Sequence, residues 1–149
     1  MRAVIQRVKQ ASVTVNGTCT GSIDKGIVTF LGIHYGDSTK EITWLVDKIV
    51  NLRIFPDSDG KMNISLADIN AEMLIVSQFK LYGDCRKGRR PGYSEAAPPD
   101  QAEFLYDRFV KEVRQKGITT ATGTFQAMMD VALINDGPVT LLLDSKKKF

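Results

Sequence analysis

The chain has 149 residues, 43% of them hydrophobic and 25% charged, with a net charge of +3, which suits one globular domain over residues 1–149 that buries about two thirds of its unfolded surface and needs no metal or disulfide scaffold. The two cysteines, Cys19 and Cys85, fall in no CxxC or Cys/His pattern, so structural zinc is set aside and no metal or cofactor is expected. The longest apolar run, "IVTFLGI", is too short to cross a bilayer and "MRAVIQRVKQ" lacks the apolar centre of a signal peptide, so no membrane partner and a cytoplasmic location are expected.

In chain order, the first third reads as consecutive antiparallel strands. "RAVIQRV" comes first, then "SVTV" and "CTGSI" joined across "NG", a strong hairpin signal, then "GIVTFLGIH" after "DKG". Ser38 and Glu41 stand at capping-box spacing ahead of Ile42, Leu45, Val46, Ile49 and Val50, which repeat at helical intervals and predict a helix over 39–51. "RIFPDSDGKMNISL" reads as strand, polar turn, strand, and "EMLIVSQFKLYG" as a longer buried strand ending at Gly83. Period-two geometry on that strand sets Ile75, Ser77, Phe79 and Leu81 on one face and Val76, Gln78 and Lys80 on the other.

From Asp84 to Pro99 the chain is basic, then proline-rich, and reads as a long surface loop. A second helix follows, with Asp100 as its cap and Ala102, Leu105, Tyr106, Phe109, Val110 and Val113 on one face before Gly117 stops it. The tail returns to strands, with "NDGPVT" as a hairpin between "MMDVALI" and "VTLLLD": Asp136-Gly137 would supply the turn and Pro138 the first residue of the next strand. The expected fold class is α+β, a mostly antiparallel sheet curved into a β-barrel-like domain with two covering helices.

Catalytic side chains are scarce. His34 is the sole histidine, at a strand end where a partly buried imidazole is a commoner role than a general base, and no GxSxG, HExxH, Walker or GxGxxG pattern accompanies it. Ser77 beside Phe79 reads either as a small hydroxyl bonded to backbone or as the floor of a pocket in which backbone N–H groups hold an oxyanion. In "CRKGRRPG", Arg86, Lys87, Arg89 and Arg90 crowd one glycine-containing loop, either solvated surface or a phosphate contact.

"VSQFKLYGD", then "KGRRP", "TGTFQAMM" and "NDGPVT", in this order and spacing, resemble the D-aminoacyl-tRNA deacylase family, and the similarity runs from "RAVIQRV" through "LLLDS". The resemblance implies hydrolysis of the ester that joins a D-amino acid to the terminal adenosine of tRNA. It further implies a homodimer with active sites at the subunit interface and a cis Gly137–Pro138 bond reaching from one subunit into the pocket of the other.

Carried onto this chain, the resemblance makes Ser77, Gln78 and Phe79 the ester and adenosine site, with the Phe79 N–H as oxyanion donor. Gly137 and Pro138 become the chiral filter and Arg7 the side chain that orients their carbonyls. Phe125 and Met129 flank the substrate, Met129 beside the adenine, and Lys87, Arg89 and Arg90 meet the tRNA. Relatives usually carry threonine at the position of Lys80, a substrate-binding position; a mechanism in which no side chain attacks tolerates that departure. Gln126 stands where relatives often have a smaller residue and alters the pocket rim.

An aminoacyl ester is already activated and its ribose 2′-hydroxyl can assist, so placing water and holding the oxyanion suffices. Two other classes remain: a related deacylase that clears L-alanine from noncognate tRNA, and a nonenzymatic nucleic-acid-binding module suggested by the basic loop and the terminal "KKK".

Overall fold

Arg2–Val15 forms one long strand, β1, in the computed structural model, which describes residues 1–149. "RAVIQRV" and "SVTV" are therefore not two antiparallel strands. The polar pair Lys9-Gln10 mimics a turn in sequence, but here it marks a phase slip: Val8 pairs with Asn135 and Gln10 with Ile134, so Lys9 is an extra residue. Such a bulge lets one strand serve two cores. Ala3 and Ile5 face the larger core, whereas Val8, Ala11 and Val13 face the smaller one.

β1 is the hub of a six-stranded sheet. Its carboxy-terminal part pairs antiparallel with β2 (Thr18–Ile23) across the Asn16–Gly17 turn, and its amino-terminal part with β3 (Gly26–Gly32). A short hairpin, β4 (Arg53–Pro56) and β5 (Met62–Ser65), stands outside this sheet. β6 (Glu72–Ser77) joins β3 in parallel, and β7 (Thr120–Thr122) joins β6 in parallel.

β2 and β7, the two ends of this series, come back together at Gly21, where a Cβ would stand 2.4 Å from the Thr122 carbonyl oxygen, a main-chain approach that only glycine permits. The sheet is thereby a nearly closed barrel. Val8, Ala11, Val13, Ile23, Val28, Leu74 and Val76 fill its interior.

α1 (Thr39–Asn51) and α2 (Pro99–Gln115) cover the outer face. The apolar residues predicted for each are those it buries, and both feed the larger core. The capping box is formed: Ser38 N–H donates to Glu41 at 2.7 Å and Lys40 N–H to the Ser38 hydroxyl at 3.3 Å. Asp100 does not cap α2. Pro99 occupies the first turn and needs no donor satisfied, so the cap position falls on Pro98, and Asp100 lies inside, where its charge suits the helix amino terminus. No helix is long and apolar enough to cross a membrane.

The last strand, β8 (Asp130–Asp144), runs antiparallel to β1 along its whole length, and no other strand pairs with it. The predicted hairpin at "NDGPVT" is absent: the chain does not reverse.

A main-chain excursion and an exposed turn as candidate active-site parts

The "NDGPVT" segment is an excursion within β8. Gln6 pairs with Thr140 and Val8 with Asn135, so Asp136, Gly137, Pro138 and Val139 all stand opposite Arg7 alone. A tight turn and this bulge share the same residue demands, which is why the sequence reads as a hairpin. Gly137 has φ +139°, and a Cβ on it would lie 2.9 Å from Val139 Cγ2 and 3.1 Å from Arg7 Nη2. The Gly137–Pro138 peptide is cis.

Three side chains hold the excursion. Arg7 is buried; its Nε donates to the Asp136 carbonyl at 3.0 Å and pairs with the Asp136 carboxylate at 3.3 Å, while Nη1 donates to the Ile54 carbonyl. The Asn135 side chain bridges the neck: its carbonyl accepts from Val139 N–H at 2.8 Å, and its amide donates to the Val139 carbonyl at 3.3 Å and the Thr140 hydroxyl at 3.0 Å. Gln6 donates to the same hydroxyl at 3.1 Å. Of these residues the family resemblance marks Arg7 alone; Asn135, Asp136, Gln6 and Thr140 carry no such signal in the sequence. An asparagine before Asp-Gly signals a local turn, and nothing in the linear pattern tells that its amide closes a four-residue excursion.

Ser77 ends β6, and the residues after it leave the sheet. Gln78 N–H still donates to the Leu31 carbonyl at 2.8 Å, then Phe79–Tyr82 closes into a 3-10 turn. Phe79 and Lys80 are thus not strand residues, and the alternating-face assignment fails after Ser77. The Phe79 N–H opens that turn and has no acceptor within it, as expected for the first donor of a helical segment. Phe79 and Lys80 are exposed, with Lys80 Nζ 5.0 Å from the Phe79 ring centroid.

Phe125 and Met129 lie between β7 and β8. Phe125 packs on Tyr106 with ring centroids 5.9 Å apart, and Met129 leans on the barrel interior, with its sulfur against Gly123. Gln126 is exposed with φ +62°. Lys87, Arg89 and Arg90 are exposed on a loop closed by paired main-chain hydrogen bonds between Asp84 and Gly92.

His34 belongs to neither part. Its Nδ1 accepts from Gly36 N–H at 2.9 Å, its ring stacks on Tyr35, and burial followed by the nearby Lys146 ammonium lowers its pKa. Ser77 makes no hydrogen bond to it.

Within one chain the two parts do not meet. Ser77 stands in the row Ser77, Leu31, Ala3, Leu143, whereas the excursion faces the row Met73, Ile27, Arg7. The rows are about 13 Å apart along the strands, and β6 and β8 are separated by about 14 Å across the sheet. No hydrogen bond or ion pair joins residues 77–80 to 136–139. Of two surface grooves, of about 520 and 490 Å³, only the second is lined by Phe125, and neither is lined by Ser77, Phe79, Gly137 or Pro138.

Residues 4–144 match the family model described as D-Tyr-tRNA(Tyr) deacylase. A D-aminoacyl-tRNA deacylase from Desulfotalea psychrophila is 62% identical over 149 residues, covering 100% of both chains. A solved structure named c-Myc DNA Unwinding Element Binding Protein superposes with TM-score 0.91 at 42% identity, over 97% of this chain and 98% of that one. Another, titled as an analysis of "a probable eukaryotic D-amino acid tRNA deacylase", gives TM-score 0.83 at 20% identity over 95% and 97%, a likeness of fold alone.

Proposed function

The chain belongs to the D-Tyr-tRNA(Tyr) deacylase family, and from that premise we propose that it hydrolyses D-aminoacyl-tRNA by a route in which main chain and RNA, not an attacking side chain, carry the chemistry. Water adds to the ester carbonyl and the bond to the ribose oxygen breaks. That oxygen takes up the proton, and the free D-amino acid leaves the intact tRNA. The Phe79 N–H, unclaimed by its own turn, stabilises the carbonyl oxygen as it becomes anionic. Loss of one such donor typically costs about 10²- to 10³-fold in rate. The ribose 2′-hydroxyl assists the attack, consistent with a Ser77 that has no base beside it and a histidine engaged elsewhere.

The observation that carries the reading is the clamped excursion Asp136–Val139. Two enantiomers present the same groups, so a pocket selecting on side-chain chemistry cannot tell them apart; handedness has to be read at the alpha carbon. A stretch of main chain held by Arg7 and Asn135 can aim carbonyls at the substrate ammonium and occupy the space an L side chain would need, which is selection by exclusion.

Two features support a homodimer whose active site is shared. The excursion and the Ser77–Lys80 segment lie on different regions of one chain, and β8, paired on one edge only, exposes Ile134, Leu141 and Leu142. An apolar strand with a free edge is a ready surface for a second copy. Its excursion would complete the neighbour's Ser77, Gln78 and Phe79 with Gly137 and Pro138.

The test is hydrolysis of tRNA charged with D- or L-tyrosine. D-Tyr-tRNA is expected to be cleaved at least about a hundredfold faster. Gly137→Ala, which crowds Val139 and Arg7 at a positive φ, should lower kcat/KM about a hundredfold, the cost of misplacing a positioning group by an ångström. Equal cleavage of both enantiomers would refute the chiral filter. A preference for L-Ala-tRNA would move the chain to the L-alanine-clearing class, and binding without turnover to the nucleic-acid-binding class that the name of the 42% identical neighbour suggests for that protein.

A further inference from the structure

Phe79 and Tyr93 form an aromatic pair outside both cores. Their ring centroids are 5.1 Å apart, edge to face, with Phe79 47% and Tyr93 37% exposed. Tyr93 lies across the Gly83 main chain, where a Cβ would stand 3.2 Å from its ring, so the absence of a side chain there seats the ring. Lys80 sits beside Phe79, 5.0 Å from its centroid.

The adjoining loop is the densest positive stretch of the chain. Arg86 is engaged by Asp84 through two contacts of 2.8 Å, which hold the Asp84 carboxyl well below its ordinary range. Lys87, Arg89 and Arg90 make no ion pair, and neither does Lys80. Cations with no partner beside exposed rings are the two ingredients of a single-strand nucleic-acid site: rings stack unpaired bases without regard to sequence, and cations follow the phosphates. A base-paired stem offers no free base face to such rings.

We propose that Tyr93, with Phe79 and Lys80, is a stacking site for a second nucleobase, that of the nucleotide preceding the terminal adenosine, and that Lys87, Arg89 and Arg90 bind the phosphates of the same unpaired 3′ end. This rests on the deacylase reading, which puts the terminal ester at Phe79. It assigns Tyr93 a binding role that the ester chemistry does not require.

The experiment compares D-Tyr-tRNA with 3′-O-(D-tyrosyl)adenosine, which lacks the preceding nucleotide. Tyr93→Leu is expected to raise KM for D-Tyr-tRNA by about 5- to 150-fold, the range of one lost base stack, and to raise KM for the adenosine ester far less. Tyr93→Phe, which keeps the ring, should restore the wild-type ratio. Replacing Arg89 and Arg90 together with glutamine should flatten the dependence of log KM on log salt by about 1.4 for the tRNA, at about 0.7 per single-strand phosphate contact. Equal losses on both substrates would make Tyr93 a mere prop for Phe79 and overturn the proposal, as would no loss on either. Wild-type protein that cleaves neither substrate would defeat the deacylase reading and this one together, an outcome distinct from failure of Tyr93 alone.

Discussion

Arg7 illustrates how a residue's place in the sheet changes its meaning. By its strand pattern alone it is one more cation, and only the family resemblance gives it a role; in the fold it is buried opposite the excursion, with its guanidinium divided between Asp136 and the Ile54 carbonyl. A buried guanidinium needs such partners, since leaving it unpaired costs several kcal/mol. His34 has the reverse history. It is the chain's one histidine, yet its ring is committed to Gly36, Tyr35 and Tyr82. His34→Asn, which keeps an acceptor for the Gly36 N–H, is expected to leave kcat/KM for D-Tyr-tRNA far from the roughly 10²- to 10⁴-fold loss of a general base.

The same variant has a stability signature. Burial and Lys146 hold the His34 pKa below its ordinary 6.5, against the opposing pull of Asp37 and Glu95. The folded state therefore favours the neutral ring while the unfolded chain takes up a proton near the ordinary value. Its stabilising contribution is complete above that value and is lost as pH falls from there toward the folded-state pKa. Thermal melts between about pH 7 and about pH 5 should show the wild type losing more stability than His34→Asn; parallel losses would show that another group titrates.

At the scale of elements, helices were legible because their apolar residues return every three or four positions whatever surrounds them. α1 and α2 bury the side chains their periodicity selects. The long strands were not, because β1 and β8 each contain polar or glycine-bearing residues that in isolation read as turns. Whether such residues turn or bulge depends on the partner strand, and here β1 and β8 hold each other straight on both sides of the interruption. Asn135 is the device that lets β8 resume its register. Asn135→Ala leaves the Val139 N–H and the Thr140 hydroxyl short of a partner, so it is expected to cost about 1–3 kcal/mol and to lower kcat/KM through a loosened excursion. Asn135→Asp keeps the acceptor for Val139 and should recover part of both losses; a variant with a lower melting temperature but full activity would separate the staple from function.

For the whole molecule, the arrangement divides labour between two cores and leaves one apolar strand uncovered. If the site is shared between copies, Phe79→Pro, which removes the proposed oxyanion donor, and Gly137→Ala should each be impaired about a hundredfold or more alone, yet a refolded equimolar mixture should regain about a quarter of wild-type activity. About half of its dimers are mixed and each carries one intact site, as a two-fold interface requires. A mixture as inactive as its components would refute a site shared between copies.

The local content of this protein was already written in its sequence: two amphipathic helices, the "NG" turn, a cation-rich loop, and motifs whose order marks a deacylase family. These depend on neighbours a few residues apart, where sterics and periodicity act without help from the rest of the chain. Only tertiary structure decided that "NDGPVT" projects from a continuous strand without reversing it, that Asn135 closes its neck, and that Ser77 lies three strands away. Those facts depend on strand pairings that span dozens of positions between β3 and β6 and more than a hundred between β1 and β8, and such pairings are settled by the closing of the sheet.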